Sequence, residues 1–140
     1  MTRGERLTTA GRATAIEMFG DEGPARLEAA YERREASVDT SWADITSSFI
    51  TNGMYSRNVL TTATRELCAV AALTALGRTV ELSEHIRIAM RTSPASHVRE
   101  AIIQMSVYAG MPAVFDGLRL FEEVVATMPT DDVTGGERIS

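Results

Sequence analysis

The apolar positions of this chain recur at intervals of three and four residues almost throughout, and no convincing run alternates with a period of two. The pattern predicts a weak, polar helix near residues 4–20, ending around Gly20. A second helix is expected from Pro24, a residue suited to the first helical turn, to about Ala36, with Leu27, Ala30 and Tyr31 on one face. Asp39, Thr40 and Ser41 offer caps for a third, in which Trp42, Ile45, Phe49 and Ile50 form the packing stripe and which Gly53 can stop.

The segment Thr62 to Leu76 is apolar all round after Glu66 except at Thr74, the pattern of a helix enclosed by others. Gly77 suits the position just past its end. A very short connection leads to a helix over Val80 to Met90, with Leu82, Ile86 and Ala89 inward, so the two helices are expected to be antiparallel neighbours. Ser93-Pro94 opens a helix carrying Val98, Ile102 and Met105, Gly110 ends it, and Pro112 starts a last helix to about Met128. The tail from Pro129 to Ser140 has no periodicity and is expected to be mobile. The reading is an all-α bundle of about six helices, one domain over residues 1–128, built around the central antiparallel pair.

A length of 140 residues fits one domain with a core that needs neither disulfides nor metal. The formal charge, 14 − 19 = −5, argues against nucleic acid or an anionic membrane as partner. All fourteen basic residues are arginine; the missing lysine excludes Schiff-base chemistry and a phosphate-binding P-loop. Cys68 is the single cysteine, so no intrachain disulfide or CxxC redox pair can form. With only His85 and His97, no metal site of the usual ligands is expected. No apolar run reaches membrane-spanning length and none follows Met1 to Arg6 as a signal core, so a soluble, cytoplasmic protein is expected.

His85 borders the inward stripe of its helix, and Glu81, four residues earlier, shares its face. A carboxylate so placed orients an imidazole for general acid or base work; the plainer reading is a core-edge histidine satisfied by Glu81 or a backbone carbonyl. Glu66 stands at the mouth of the most apolar helix. Pointing inward it would carry protons, and pointing outward it would be a solvated first-turn glutamate. Arg57, Arg65 and Arg78 flank that helix and could each grip an anionic substrate or form surface ion pairs. Trp42 reads first as core packing, whereas Tyr108, just before Gly110 and Pro112, sits at a helix junction suited to a pocket. Cys68 reads as buried and inert, His97 as exposed, and Met90, Met105, Met111 and Met128 as core fillers.

Between Tyr55 and Val125 an ordered set of segments stands out: Ser56-Arg57, Thr64-Arg65-Glu66-Leu67, Ala71 through Arg78, Glu81-Leu82-Ser83-Glu84-His85, Arg99 through Gln104, and Val107 through Ala113. Together they resemble the carboxymuconolactone decarboxylase family, whose all-helical fold is shared with alkylhydroperoxidase D-like proteins. The peroxidase branch of that superfamily carries a Glu, a CxxC pair and a His. Laid on this chain, its Glu falls on Glu66, its His on His85, and its cysteines on Arg78 and Glu81. The resemblance therefore implies a branch without thiol peroxidase chemistry, namely a carboxy-lyase that needs no cofactor. On that reading His85 with Glu81 supplies the acid, Glu66 relays protons, and Arg57, Arg65, Tyr108 and Trp42 contact a carboxylated, conjugated lactone or oxo compound. Thr92-Ser93-Pro94 and His97 depart from the family's usual turn and acidic residue, which leaves the substrate open to a biosynthetic tailoring compound. The family also implies homotrimers or hexamers. The alternative is a non-catalytic, small-molecule-binding or structural member of the same fold.

Overall fold

The computed structural model describes residues 5–132, and every regular element among them is helical, as the periodicity predicts. Residues 133–140, most of the tail expected to be mobile, lie outside the described residues. The tail's first residues, Thr130–Asp132, form a 3-10 turn in which Asp132 pairs with Arg91. No helix among the described residues is long and apolar enough to cross a membrane. Residue contacts gather the chain into two compact units that divide between Thr62 and Ala63.

The N-terminal unit holds α1 (Thr9–Phe19), α2 (Gly23–Ser37) and α3 (Thr40–Thr46), which runs on into a π-helix (Ser47–Tyr55). Helix α1 starts later than its periodicity suggests because the preceding backbone has other partners. The amides of Arg6 and Leu7 donate to Glu28, the Thr8 amide donates to Asn52 Oδ1 at 3.0 Å, and Thr8 Oγ1 caps the Gly11 amide. Donors satisfied this way have no need of a helical carbonyl. Gly23 marks the close approach of α2 to α1: a Cβ there would lie 2.0 Å from the Ala15 carbonyl oxygen.

The expected stripe of the third helix faces the wrong way. Trp42, Ile45 and Phe49 are 46%, 56% and 66% exposed, while Ala43, Thr46, Ser47 and Thr51 are buried. Small and hydroxylated residues can take the inner face because Thr46 Oγ1 donates to the Trp42 carbonyl at 2.9 Å and Ser47 Oγ to the Asp44 carbonyl at 3.1 Å. Trp42 is therefore not a core residue. Gly53 does not end this helix either; it lies inside the π-helical stretch, where a Cβ would stand 2.8 Å from the Ser48 carbonyl oxygen. The buried Tyr31 phenol bonds to the Thr51 hydroxyl, and burial holds its pKa above the usual value of 10.0.

The C-terminal unit holds most of α4 (Thr62–Leu76), then α5 (Thr79–Thr92), α6 (Ala95–Gln104), α7 (Ser106–Ala109) and α8 (Met111–Thr127). Leu82, Ile86, Met90, Val98, Ile102, Phe121 and Val124 are the heart of its core. Helix α4 ends as predicted: Gly77 takes φ +66°, its amide donates to the Thr74 carbonyl, and the Arg78 amide reaches back to Leu73 at 3.0 Å. The expectation that α4 is enclosed fails: only Glu66, Val70 and Thr74 are buried, and Cys68 is exposed rather than buried. Its Val70 shares a buried cluster with Leu82 and Ile86 of α5. Met111 is exposed too and is no core filler.

Candidate active site

The buried positions of α4, Glu66, Val70 and Thr74, are spaced by four residues and form one stripe. Two of the three are polar. Thr74 answers its own need by donating to the Val70 carbonyl at 2.7 Å. Glu66 has no such local remedy, because a carboxylate only accepts. Its side chain is 0% exposed, and its partner comes from α5: His85 Nδ1 lies 2.8 Å from Glu66 Oε2. The other oxygen, Oε1, is buried and has no hydrogen-bond partner.

His85 is held for this contact by its neighbours. Leu82 and Ile86 anchor α5 in the core and leave the imidazole at its border, with 25% of the side chain exposed. A carboxylate against Nδ1 requires the proton on that nitrogen, which leaves Nε2 as the position that can take or give a proton. The pair is thus a fixed imidazole with one free nitrogen, backed by a carboxylate shielded from water. Such an arrangement is costly to build: one buried acceptor left unpaired costs about 1–3 kcal/mol, which a leucine at the same place would avoid.

The structure brings Glu66 and His85 together directly, although a register count for helices packed side by side separates them by several ångströms along the axis. The reach of the glutamate and imidazole side chains spans that offset. Glu81, expected to orient the ring, is exposed in the first turn of α5, where water and the helix dipole suit a carboxylate. The orienting carboxylate on the ring is Glu66 instead. Arg65 is half-buried beside Glu66 in the chain, and Tyr108 is 74% exposed at the α7–α8 junction. Trp42 and Arg57 belong to the N-terminal unit. His97 is exposed, as expected. No group of three or more His, Cys, Asp or Glu side chains among the described residues could hold a metal ion.

Sequence reasoning missed two features near Arg57. Ile45, Ser48, Phe49, Gly53, Met54 and Arg57 line a shallow groove of about 510 Å³. A second, polar cleft of about 300 Å³ has Thr14, Glu17, Asn58 and Thr62 in its lining, and Arg57 again. The spacing of Ile45 and Phe49 was itself the available signal, but helical periodicity alone reads such a pair as core.

Known proteins share these features of sequence. Residues 42–123 match the carboxymuconolactone decarboxylase family. Over 79 residues the chain is 37% identical to 4-carboxymuconolactone decarboxylase of Acinetobacter baylyi, a match covering 56% of this chain and 59% of that relative. The chain thus spans less than two thirds of the relative's length. The family match extends over more than half of the sequence and includes both Glu66 and His85, and the chain belongs to the carboxymuconolactone decarboxylase family.

Proposed function

We propose that this protein is a decarboxylase-type enzyme in which His85, oriented by Glu66, handles the proton of a carboxylated, conjugated lactone or oxo compound. The observation that carries this reading is the buried Glu66–His85 contact, with its shielded carboxylate and its partly exposed imidazole. Family membership and the decarboxylase relative support it.

The chemistry asks little else of the chain. The bond from carbon to the departing carboxylate breaks, CO2 leaves, and the electron pair passes through the conjugated system onto the carbonyl oxygen. His85 Nε2–H then returns a proton to carbon, and Glu66 stabilises the imidazolium that gives it. One proton from solvent is consumed per CO2 released. Arg65 and Tyr108, which belong to the same unit as the pair, are the candidate substrate contacts. No lysine, cofactor or metal is required by this scheme. A biosynthetic tailoring substrate is an option alongside the lactone named for the relative.

Assembly into a homo-oligomer, a trimer or hexamer, belongs to the same proposal. The exposed apolar side of α4, with Cys68, Ala72 and Leu76, and the adjoining Val80 supply surface for it. The functional reading is tested by incubating the protein with 4-carboxymuconolactone and related conjugated acids and measuring CO2 release. Release by the wild type, reduced about 10²–10⁴-fold in His85→Ala with unchanged helical circular dichroism, supports it. Near-full activity of His85→Ala refutes the assignment. Ligand binding with no release from any of these acids favours the non-catalytic alternative.

A further inference from the structure

Helix α3 and its π-helical continuation, residues 40–55, carry their large apolar side chains outward. Trp42, Ile45 and Phe49 follow one another at helical spacing, and Met54 joins Ile45 and Phe49 in the wall of the shallow groove. At about 150–250 Å² of surface for a large side chain, with roughly half of each open, these four present about 400 Å² of apolar surface. The same residues 40–55 include a single charged side chain, Asp44, and it already accepts from Arg6 Nε at 2.8 Å. Depletion of charge together with exposed aromatic residues and methionine is the composition of an interface centre rather than of a wetted surface.

We infer that this face is covered by the same face of a second copy of the chain, related to the first by a two-fold axis. Knob and hollow lie on one helix. Phe49 projects, and the groove beside it is lined by the small residues Ser48 and Gly53. The Ser48 carbonyl oxygen, 2.8 Å from where a Cβ would stand, keeps any side chain off Gly53 and the hollow open. A two-fold contact needs such a self-complementary patch, and it closes at two copies. Two patches face to face remove about 800 Å² of apolar surface from water, and their polar rims bring the total to about 1,200 Å², the lower end for a specific interface. A small molecule is a poorer occupant, because a shallow groove does not enclose it. An anionic membrane would call for basic side chains, which residues 40–55 lack. The pairing goes beyond the proton-transfer reading, and its face is distinct from the exposed side of α4.

Light scattering on the full chain tests it. Phe49→Glu and Ile45→Glu, both at exposed positions, bring like charges together across the axis, and each should halve the mass with helical circular dichroism unchanged. Halving is expected whether or not α4 is also an interface: a larger multimer built through both faces falls to half, and a plain dimer falls to the 15.2 kDa of one chain. Leu76→Glu should leave a dimer, and adding Phe49→Glu to it should leave single chains. His85→Ala should keep the wild-type mass, so failure of this inference is distinguishable from failure of the catalytic one. Should either groove variant lose its helical signal, the other decides. A mass that neither variant changes would overturn the inference and assign the groove to a different partner or a small apolar ligand. A wild type of single-chain mass, or single chains in Leu76→Glu alone, would overturn it as well.

Discussion

Replacing Glu66 with leucine separates the needs of the fold from those of chemistry. The side chain is 0% exposed and shares its stripe with Val70 and Thr74, so leucine is sterically at home there. Three contributions decide the stability. The hydrogen bond to His85 is lost, about 1.5–3 kcal/mol for a bond to a charged group. The unpartnered Oε1 disappears, which returns about 1–3 kcal/mol. Burying a leucine adds about 1.5–3 kcal/mol. His85, a quarter exposed, can bond to water in place of Glu66. The balance is a gain of about 1–3 kcal/mol, or a urea midpoint raised by about 0.5–1.5 M for a slope of about 2 kcal/mol/M. Turnover should meanwhile fall about 10²–10⁴-fold. Urea unfolding followed by circular dichroism is the assay. A midpoint lowered at unchanged slope would refute the reasoning and make Glu66 a structural carboxylate.

Three further outcomes are expected. The Tyr31 phenol is buried and ionises above the usual 10.0, whereas the unfolded chain ionises near it, so its contribution is intact below pH 10 and is lost as pH rises beyond. Urea midpoints measured from pH 8 to 11.5 should therefore fall more steeply for the wild type than for Tyr31→Phe, and parallel curves would contradict this. Gly23→Ala should destabilise by about 1–3 kcal/mol despite a helix-propensity gain near 1 kcal/mol, because the clash is with the Ala15 carbonyl, which cannot rotate aside; an unchanged or higher melting temperature counts against it. Leu76→Glu, at an exposed apolar position of α4, should reduce a multimeric mass toward the 15.2 kDa of one chain in light scattering, and an unaltered multimer would exclude this face from the interface.

The helical class and most helix ends were legible because their causes are local. Gly77 and Gly110 supply positive φ where helices must stop, and Asp39 caps the Trp42 amide as its position predicts. What failed depended on distant partners. Nothing near Thr8 announces that Glu28 will take the amides of Arg6 and Leu7, and Asn52 that of Thr8 itself, and so delay α1. The stripe of Trp42, Ile45 and Phe49 has helical spacing, but spacing does not say which face is covered, and hydroxyls that bond their own helix took the inside. Glu81 looked like the partner of His85 because helical neighbours are visible in sequence. The partner that the fold supplies is nineteen residues away on another helix.

The central claim is that Glu66 and His85 work as one proton-handling unit, and a double-mutant cycle on kcat/KM tests it most directly. The rates to compare are those of the wild type, Glu66→Gln, His85→Ala and the double variant, with the substrate that the CO2-release assay identifies. If glutamate acts through the imidazole it touches, removing it after His85 is gone changes nothing more, and the double variant falls within about threefold of His85→Ala. Losses that multiply, so that the double variant is slower than either single by the full product, would show two independent groups and contradict the account.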